Sequence, residues 1–390
     1  MISVGQALDL VFDLAQPMPV ETVPLGCAAG RVLAGPVAAK RDQPPFAASA
    51  MDGYALRDAD ATPGARLRVI GEAAAGCRFA GAVPAGACVR IFTGAPVPDG
   101  ADRVVIQEDV TRDGDHITLG ARLDKGRHIR AAGGDFAAGT QITGPRVLRP
   151  ADLALMAAMN IAEVPVSRQP TVALIATGNE LVMPGETPGD DQIIASNSFG
   201  LAAMITAAGA QARMLPIARD NAASLANSFA LAQGADLIVT IGGASVGDHD
   251  LVADVAATLG MDRAFYKIAM RPGKPLMAGR LNGAAMLGLP GNPVSSMVCG
   301  HLFILPLLRA MLGFAPRPAP RATARLSADL PANGPREHYM RARLSDTGIA
   351  PFQRQDSALL SVLADADALL VRPANDGARR AGETVEYVAI

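Results

Sequence analysis

From Thr171 to Ser296 the chain alternates short β-rich apolar runs with helical segments, and two of the runs open into glycine-rich turns. Thr171–Ala176, Met214–Ile217, Leu237–Ile241, Phe265–Ile268, Leu276–Ala278 and Met286–Leu289 predict strands. Gly200–Ala208, Ala222–Gln233 and Asp250–Leu259 predict helices, and a last helix starts after Asn292. Alternation of this kind specifies a mostly parallel sheet covered on both faces, with ligands at the carboxyl ends of its strands. No other stretch of the sequence constrains the fold as tightly.

The flanking segments read differently. Ser3 can cap a first helix in which Val4, Ala7, Leu8, Val11, Leu14 and Ala15 recur at helical spacing, ended by Pro17 and Pro19. Between residues 44 and 136, Leu67–Ile70, Cys88–Phe92, Arg103–Gln107 and His116–Leu119 are separated by Gly, Pro and Asp clusters, as in a small antiparallel β domain. Pro150–Asn160 predicts a helix with Asp152 near its positive end. Pro316–Pro320 is a stiff linker, followed by Thr323–Leu326, His338–Leu344, Leu369–Arg372 and Thr384–Val388, a second small β domain. The fold class is therefore α/β plus β, in four regions, as a length of 390 residues allows.

Composition narrows the function. Half of the residues are hydrophobic and the formal charge is −2, which excludes a disordered chain and argues against nucleic acid as a partner. The most apolar stretch, Met297–Leu308, is interrupted by Gly300, His301 and Pro306 and reads as a buried helix rather than a membrane span. Asp9 and Asp13 stand where a signal peptide would need basic and apolar residues. Cys27, Cys77, Cys88 and Cys299 form no CxxC pair, so neither zinc nor disulfides are expected, and a cytoplasmic location is. His116, His128, His249, His301 and His338 show no metal-ligand spacing.

The segment Thr240–Asp250 leaves an apolar strand, passes Gly242, Gly243 and Gly247, and enters a helix. Glycines there permit positive φ and let backbone N–H groups approach an anion, while the helix N-terminus adds partial positive charge. A ligand-free strand-to-helix turn would have the same composition. Leu287–Ser296 repeats the pattern, with Gly291, Asn292, Ser295 and Ser296 at the opening of the next helix. Both loops follow strands of one parallel set, so both belong at one edge of the sheet. Between them, Lys267, Arg271 and Lys274 supply full charges on a stretch stiffened by Pro272 and Pro275.

Asp52, Asp135, Glu180, Asp220, Asp248 and Asp250 are the carboxylates of interest, several of them just after strands. Each taken singly reads as a turn or cap residue, and Asp220 could cap the helix after it. Collectively, carboxylates facing a phosphate site imply a bridging Mg²⁺.

Ser49-Ala-Met-Asp-Gly-Tyr-Ala55 is strongly similar to the most specific signature of the MoeA and gephyrin E-domain family. Phe92–Pro98, Gly133-Gly-Asp135, Ala176–Leu181, Gly242–Gly247, Pro272-Gly-Lys-Pro275, Leu289–Ser295 and Glu337–Arg341 follow in that family's order across nearly the whole chain. The resemblance implies an elongated four-domain homodimer. An N-terminal helix (1–20) packs on a MogA-like three-layer α/β domain that binds molybdopterin (169–314). A mixed α/β linker domain (21–43 and 137–168), a small β domain (44–136) and a C-terminal β-barrel domain (315–390) complete it. Implied substrates are adenylylated molybdopterin and molybdate, in a Mg²⁺-dependent transfer that releases AMP. Implied partners are a MogA-type adenylyltransferase and the acceptor molybdoenzymes, with no membrane.

Carried over by motif, Ser245, Asp220 and Asp250 resemble the cleft residues that handle the pterin phosphate and the metal, the latter two as metal ligands. Lys267, Arg271, Lys274, Pro275 and Ser295 resemble the wall near the molybdate, with Gly242, Gly243, Gly291 and Asn292 in the phosphate loops. Arg341 and Ser357 would close the oxyanion pocket, Glu180 would lie near the cleft, and Asp52, Thr93 and Asp135 would reach in across the dimer. The chain departs from the usual pattern at Ala47, Ala48, Asn179, Ala244 and Arg271. A scaffold or binding module on the same fold, and a tungstate-inserting relative, are the alternative readings.

Overall fold

The structure is a computed structural model that describes residues 1–243 and 250–390. The chain divides into two compact units. One comprises Met1–Glu21, Gly30–Ala34 and Val166–Ile390, and the other Thr22–Ala29 and Gly35–Pro165.

The first unit is built on a six-stranded sheet in the order Gln211–Met214, Thr171–Ala176, Leu237–Ile241, Ala284–Leu289, Met277–Leu281, Asp262–Tyr266. The first four strands are parallel and the last two antiparallel. Alternate side chains serve opposite faces. Val172, Leu174, Leu237, Val239, Leu287 and Leu289 join one core, and Ala173, Ile175, Ile238 and Met286 the other. Period-two burial on both faces is what turns each strand into the continuous apolar run seen in the sequence. The second core is closed by the Ala222–Leu231 and Leu251–Thr258 helices through Leu225, Phe229, Val252 and Ala256.

The first core reaches further than the strand–helix alternation foretells. It includes Val4, Ala7, Leu8 and Val11 of the N-terminal helix and Tyr339, Leu369, Val371 and Val388 of the C-terminal sheet. Regions that are separate in the sequence thus share one apolar interior. Ser3 caps the N-terminal helix Val4–Phe12 in a full capping box with Gln6.

The Pro293–Met311 helix has a mean hydropathy of 1.5 and the length of a membrane span, yet 78% of its apolar window is buried in this core. It holds a π-helical turn at Gly300–Ile304, where a Cβ added at Gly300 would collide with Met204 and Leu201.

C-terminal strands run Met270–Arg271, Glu337–Ser345, Ala368–Arg372, Thr384–Ala389, Ala322–Arg325, with Gly348–Pro351 on the other side of Glu337–Ser345. Bridging between Leu326 and Ile349 joins the two ends, so the sheet closes on itself as a small barrel. Arg271 pairs in parallel with His338, which makes the predicted cationic loop an edge of this barrel.

The second unit contains a six-stranded sheet, Arg103–Ile106, Gly53–Leu56, Ala87–Ile91, Arg66–Ala73, His116–Leu119, Val110–Asp113. It is antiparallel as expected except that Arg66–Ala73 and Ala87–Ile91 run parallel, the intervening chain crossing back before Ala87. The Gly53–Leu56 strand lies between Arg103–Ile106 and Ala87–Ile91, and a Cβ on Gly53 would stand 2.0 Å from the Val105 carbonyl oxygen. This is a packing reason for glycine in the Ser49–Ala55 signature.

Candidate active site

Parallel strands place four chain exits at one edge of the first unit's sheet. Thr171–Ala176 leads to Thr177–Glu180, Leu237–Ile241 to Gly242 and Gly243, Ala284–Leu289 to Pro290–Asn292, and the chain after Gln211–Met214 to Asp220. Pairing continues past the strands. The N–H of Thr177 donates to the Ile241 carbonyl (2.9 Å), that of Gly242 to Leu289 (3.1 Å), and that of Gly178 to Ala218 (3.0 Å). Gly242 has φ +94°, and a Cβ there would come 2.6 Å from the Thr177 carbonyl oxygen; at Gly243 one would meet Val252 at 2.4 Å. Only glycine lets these backbones converge.

The exits open into a cleft of about 1170 Å³. Glu180, Asp220, Gly242, Gly243, Arg271, Lys274, Pro275, Gly291, Asn292, Ser295 and Ser357 all line it. Two helices start at its wall. Asn197–Ala207 begins with no side-chain cap, and the Asn197 amide donates to the Gly291 carbonyl (2.8 Å). Pro293–Met311 begins at Asn292, also uncapped, and the Val294 N–H donates to the Ser357 carbonyl (3.0 Å). Ser198 and Ser295 are 8% and 4% exposed and face the cleft with hydroxyls that have no protein partner among the described residues. Hydroxyls, uncapped helix starts and cations lining one cleft give it the chemistry of an anion receptor.

The opposite polarity is local. Asp220 and Asn179 hold each other reciprocally: the Asn179 N–H donates to Asp220 Oδ2 and the Asp220 N–H to Asn179 Oδ1, both at 3.1 Å. Arg219 fixes the same turn by donating to the carbonyls of Gly178, Asn179 and Leu181. The Glu180 carboxylate folds over Gly178, filling the space that a side chain at that position would take.

Three expected site residues have other surroundings. Asp250 is the N-cap of Leu251–Thr258: Oδ1 accepts from the Ala253 N–H (2.9 Å) and Oδ2 from the Tyr266 hydroxyl (2.8 Å). It is 8% exposed and does not line the cleft, one oxygen starting the helix and the other holding the Tyr266 hydroxyl. Burial and then the Asp250 carboxylate push the Tyr266 hydroxyl up to about 12, so it stays a donor.

Lys267 lies with Nζ 4.7 Å from the Tyr266 ring centroid, off the cleft lining. Arg341 is 2% exposed and does not reach the cleft either. Its guanidinium donates to Gln355 Oε1 (3.2 Å) and to the Asp356 carbonyl (2.7 Å), and the Gln355 amide donates back to the Arg341 carbonyl (2.9 Å). Arg341 therefore holds the segment that carries Ser357. Ser245, Asp248 and Ala244 lie outside the described residues.

In the second unit, Asp52 Oδ1 accepts from both the N–H and the hydroxyl of Thr93, each at 2.7 Å. Those bonds, with help from Arg90, hold its carboxyl below the usual range. Asp135 is exposed in its Gly-Gly-Asp turn, its N–H donating to the Gln43 carbonyl (2.9 Å). Ala47 and Ala48 serve the backbone, Val97 N–H donating to Ala47 and Ala48 pairing with Arg130.

Three family profiles match successive parts of the chain. The profile of the MoeA N-terminal region (domain I and II) matches residues 2–160. That of a "Probable molybdopterin binding domain" matches 173–310, and that of the MoeA C-terminal region (domain IV) matches 323–390. The chain belongs to the MoeA family. A MoeA-family relative from Nostoc sp., named molybdopterin molybdenumtransferase, is 33% identical over 99% of this chain and 93% of its own. Another, molybdopterin molybdenumtransferase 2 of Mycobacterium tuberculosis, is 37% identical over 88% of each. The crystal structure of a MoeA protein of molybdopterin biosynthesis from Pyrococcus horikoshii superposes with a TM-score of 0.86 at 30% identity, covering 100% of this chain and 99% of that one.

Sequence reasoning missed Asn197, Ser198, Arg336 and Gln355, all on the cleft wall. The first two sit at a helix start that the sequence reading placed three residues later. Arg336 stands immediately before the Glu337–Arg341 motif, and no spacing sets it apart.

Proposed function

We propose that this chain is a molybdopterin molybdenumtransferase, inserting molybdate into adenylylated molybdopterin with release of AMP. The observation that carries the reading is the cleft itself. Two glycine loops and two uncapped helix starts face a wall with Arg271 and Lys274, while Glu180 and Asp220 stand on the side of the Thr171–Ala176 exit. A site with cationic and acidic sides suits two anionic reactants, an oxyanion on the cations and a phosphoanhydride spanning the loops. The protein's share of the reaction is positioning and charge compensation, and no covalent enzyme intermediate is needed.

Mg²⁺ fits this donor set in one form only. Among the described residues no three His, Cys, Asp or Glu side chains cluster as a metal cage. Mg²⁺ is commonly held by one or two carboxylates together with substrate phosphates. Asp220 and Glu180 have that character, whereas both Asp250 oxygens already accept from protein donors. An ion held by Asp220 and Glu180 would neutralise phosphoanhydride charge.

We further assign the second unit's Asp52, Thr93 and Asp135 to the cleft of a partner subunit in a homodimer. The Thr93 clamp on Asp52 supports this, since it fixes an ionised carboxylate on a surface turn. Purified protein, adenylylated molybdopterin, molybdate and Mg²⁺ should yield AMP in a molybdate-dependent manner. Binding of the nucleotide substrate without AMP formation would instead make the chain a scaffold.

A further inference from the structure

Arg336 lines the cleft beside Arg271 and Lys274. No acidic side chain among the described residues lies within ion-pair distance of any of these three. Arg321, Arg372 and Arg379, on the same C-terminal barrel, are all paired. The position of Arg336 is set by the backbone. The Glu337 N–H donates to the Ala269 carbonyl (3.0 Å), and Met270–Arg271 runs parallel to Glu337–His338, which brings Arg336 alongside the start of the cationic loop. The Asn333 amide holds the Arg336 carbonyl (2.9 Å).

No neighbour relieves the charge. His338 is buried, and burial followed by the charges of Arg271, Arg372, Arg336 and Arg341 pushes it down to about 4, so its ring is neutral at physiological pH. The nearby carboxylate on the cleft wall, Asp356, is turned to the Ala358 N–H (2.9 Å). Three like charges held together without a counter-charge are repulsive until an anion arrives, and the more negative the anion, the larger the gain.

We propose that Arg336 is a third arm of the oxyanion wall and sets its preference for dianions over monoanions. This rests on the reading of the cleft as an oxyanion site. Coulomb energy is linear in ligand charge, so deleting one cation costs a dianion twice the free energy it costs a monoanion at the same place, and the fold-loss is squared.

The test is calorimetric titration, at fixed ionic strength and neutral pH, with molybdate and with perrhenate, a tetrahedral monoanion of similar size. We expect Arg336→Ala to weaken molybdate about tenfold and perrhenate only about threefold. Arg336→Lys, which keeps the charge, should stay within about threefold of the unsubstituted protein for molybdate. Equal losses for the two anions, or molybdate binding unchanged in Arg336→Ala, overturn the proposal. Thermal melts of each variant show whether it is folded, and Arg336→Gln, which removes the charge but keeps most of the side chain, carries the decision with the same expected losses if Arg336→Ala is not. If the unsubstituted protein binds neither anion, the reading of the cleft fails first and the assignment of Arg336 with it.

Discussion

Asn179 and Asp220 illustrate how a single side chain is tuned here. Asn179, one of the positions where the chain departs from the pattern it resembles, holds this turn with an amide oxygen that accepts the Asp220 N–H. The turn is held by a neutral partner, with no second negative charge at residue 179 beside Asp220. Asp220→Asn retains an acceptor for the Asn179 N–H but not the charge. It should leave the melting temperature close to that of the parent and lower AMP release by about 10–100-fold, as expected for a lost charged contact of ~1.5–3 kcal/mol. A Mg²⁺ titration of both proteins measures it, and unchanged release would take Asp220 out of the site. Asp250 belongs to another category. Asp250→Asn can still cap its helix through its amide oxygen, with the amide NH2 donating to the Tyr266 hydroxyl oxygen, so it should keep both stability and turnover, whereas Asp250→Ala should cost about 0.5–2 kcal/mol in denaturant unfolding. Loss of turnover in a fully stable Asp250→Asn would restore the metal-ligand role to this residue.

At the scale of elements, the cleft is made by pieces that hold one another. The 354–358 segment is fixed from beneath by Arg341 and Gln355 and from the side by the Val294 N–H on the Ser357 carbonyl. Arg341→Ala would leave the Asp356 carbonyl without the guanidinium donor and Gln355 Oε1 with only the backbone N–H of residue 341, a cost of about 1–3 kcal/mol, and should raise the KM for molybdate. Gln355→Met removes the same latch without touching any charge, and should reproduce most of that rise. A normal KM in Gln355→Met beside a defect in Arg341→Ala would show that the guanidinium itself meets the substrate. The Gly242 turn is a sharper case. Gly242→Ala places a methyl group against the Thr177 carbonyl at a φ that disfavours L-residues, so a loss of about 1–3 kcal/mol and of phosphate binding is expected in unfolding and binding measurements.

For the whole molecule, two consequences follow from burial and from the proposed dimer. His301 and His338 are both pushed down to about 4, first by burial, and for His338 also by neighbouring arginines. Below their ordinary value near 6.5 the unfolded chain takes up protons that the folded one refuses. Their contribution to stability is therefore complete above about pH 6.5 and is lost as pH falls towards 4. Melting temperatures should drop over that window, and His338→Gln should flatten the drop; a pH-independent melt between 7 and 5 would contradict it. The dimer assignment is tested by mixing. If Asp52 acts on a partner's Lys274, Asp52→Ala and Lys274→Ala chains, each inactive alone, should recover about a quarter of full activity after dissociation and reassociation. Half of the random dimers are mixed, and each of those has one intact cleft. No recovery would place the two residues in one subunit's site or outside it.

Local pattern alone determined much of this protein. The period-two apolar runs from Thr171 to Leu289 specified a parallel sheet because both faces of each strand are buried, and the glycines after Ile241 and Leu289 marked the edge where backbones converge. Arg271, Lys274 and Ser295 were legible as cleft residues because rigid loops kept them near that edge. What sequence could not decide is which polar groups spend their hydrogen bonds on the protein. Asp250, Lys267 and Arg341 have the chemistry of site residues, yet a helix start, an aromatic face and a buried loop have claimed them. Arg336 has no motif of its own and becomes a wall residue only because a barrel strand pairs with the cationic loop. Partners of this kind come from residues tens to hundreds of positions away, so only the packed chain determines whether a charge is satisfied inside it or left to meet a ligand.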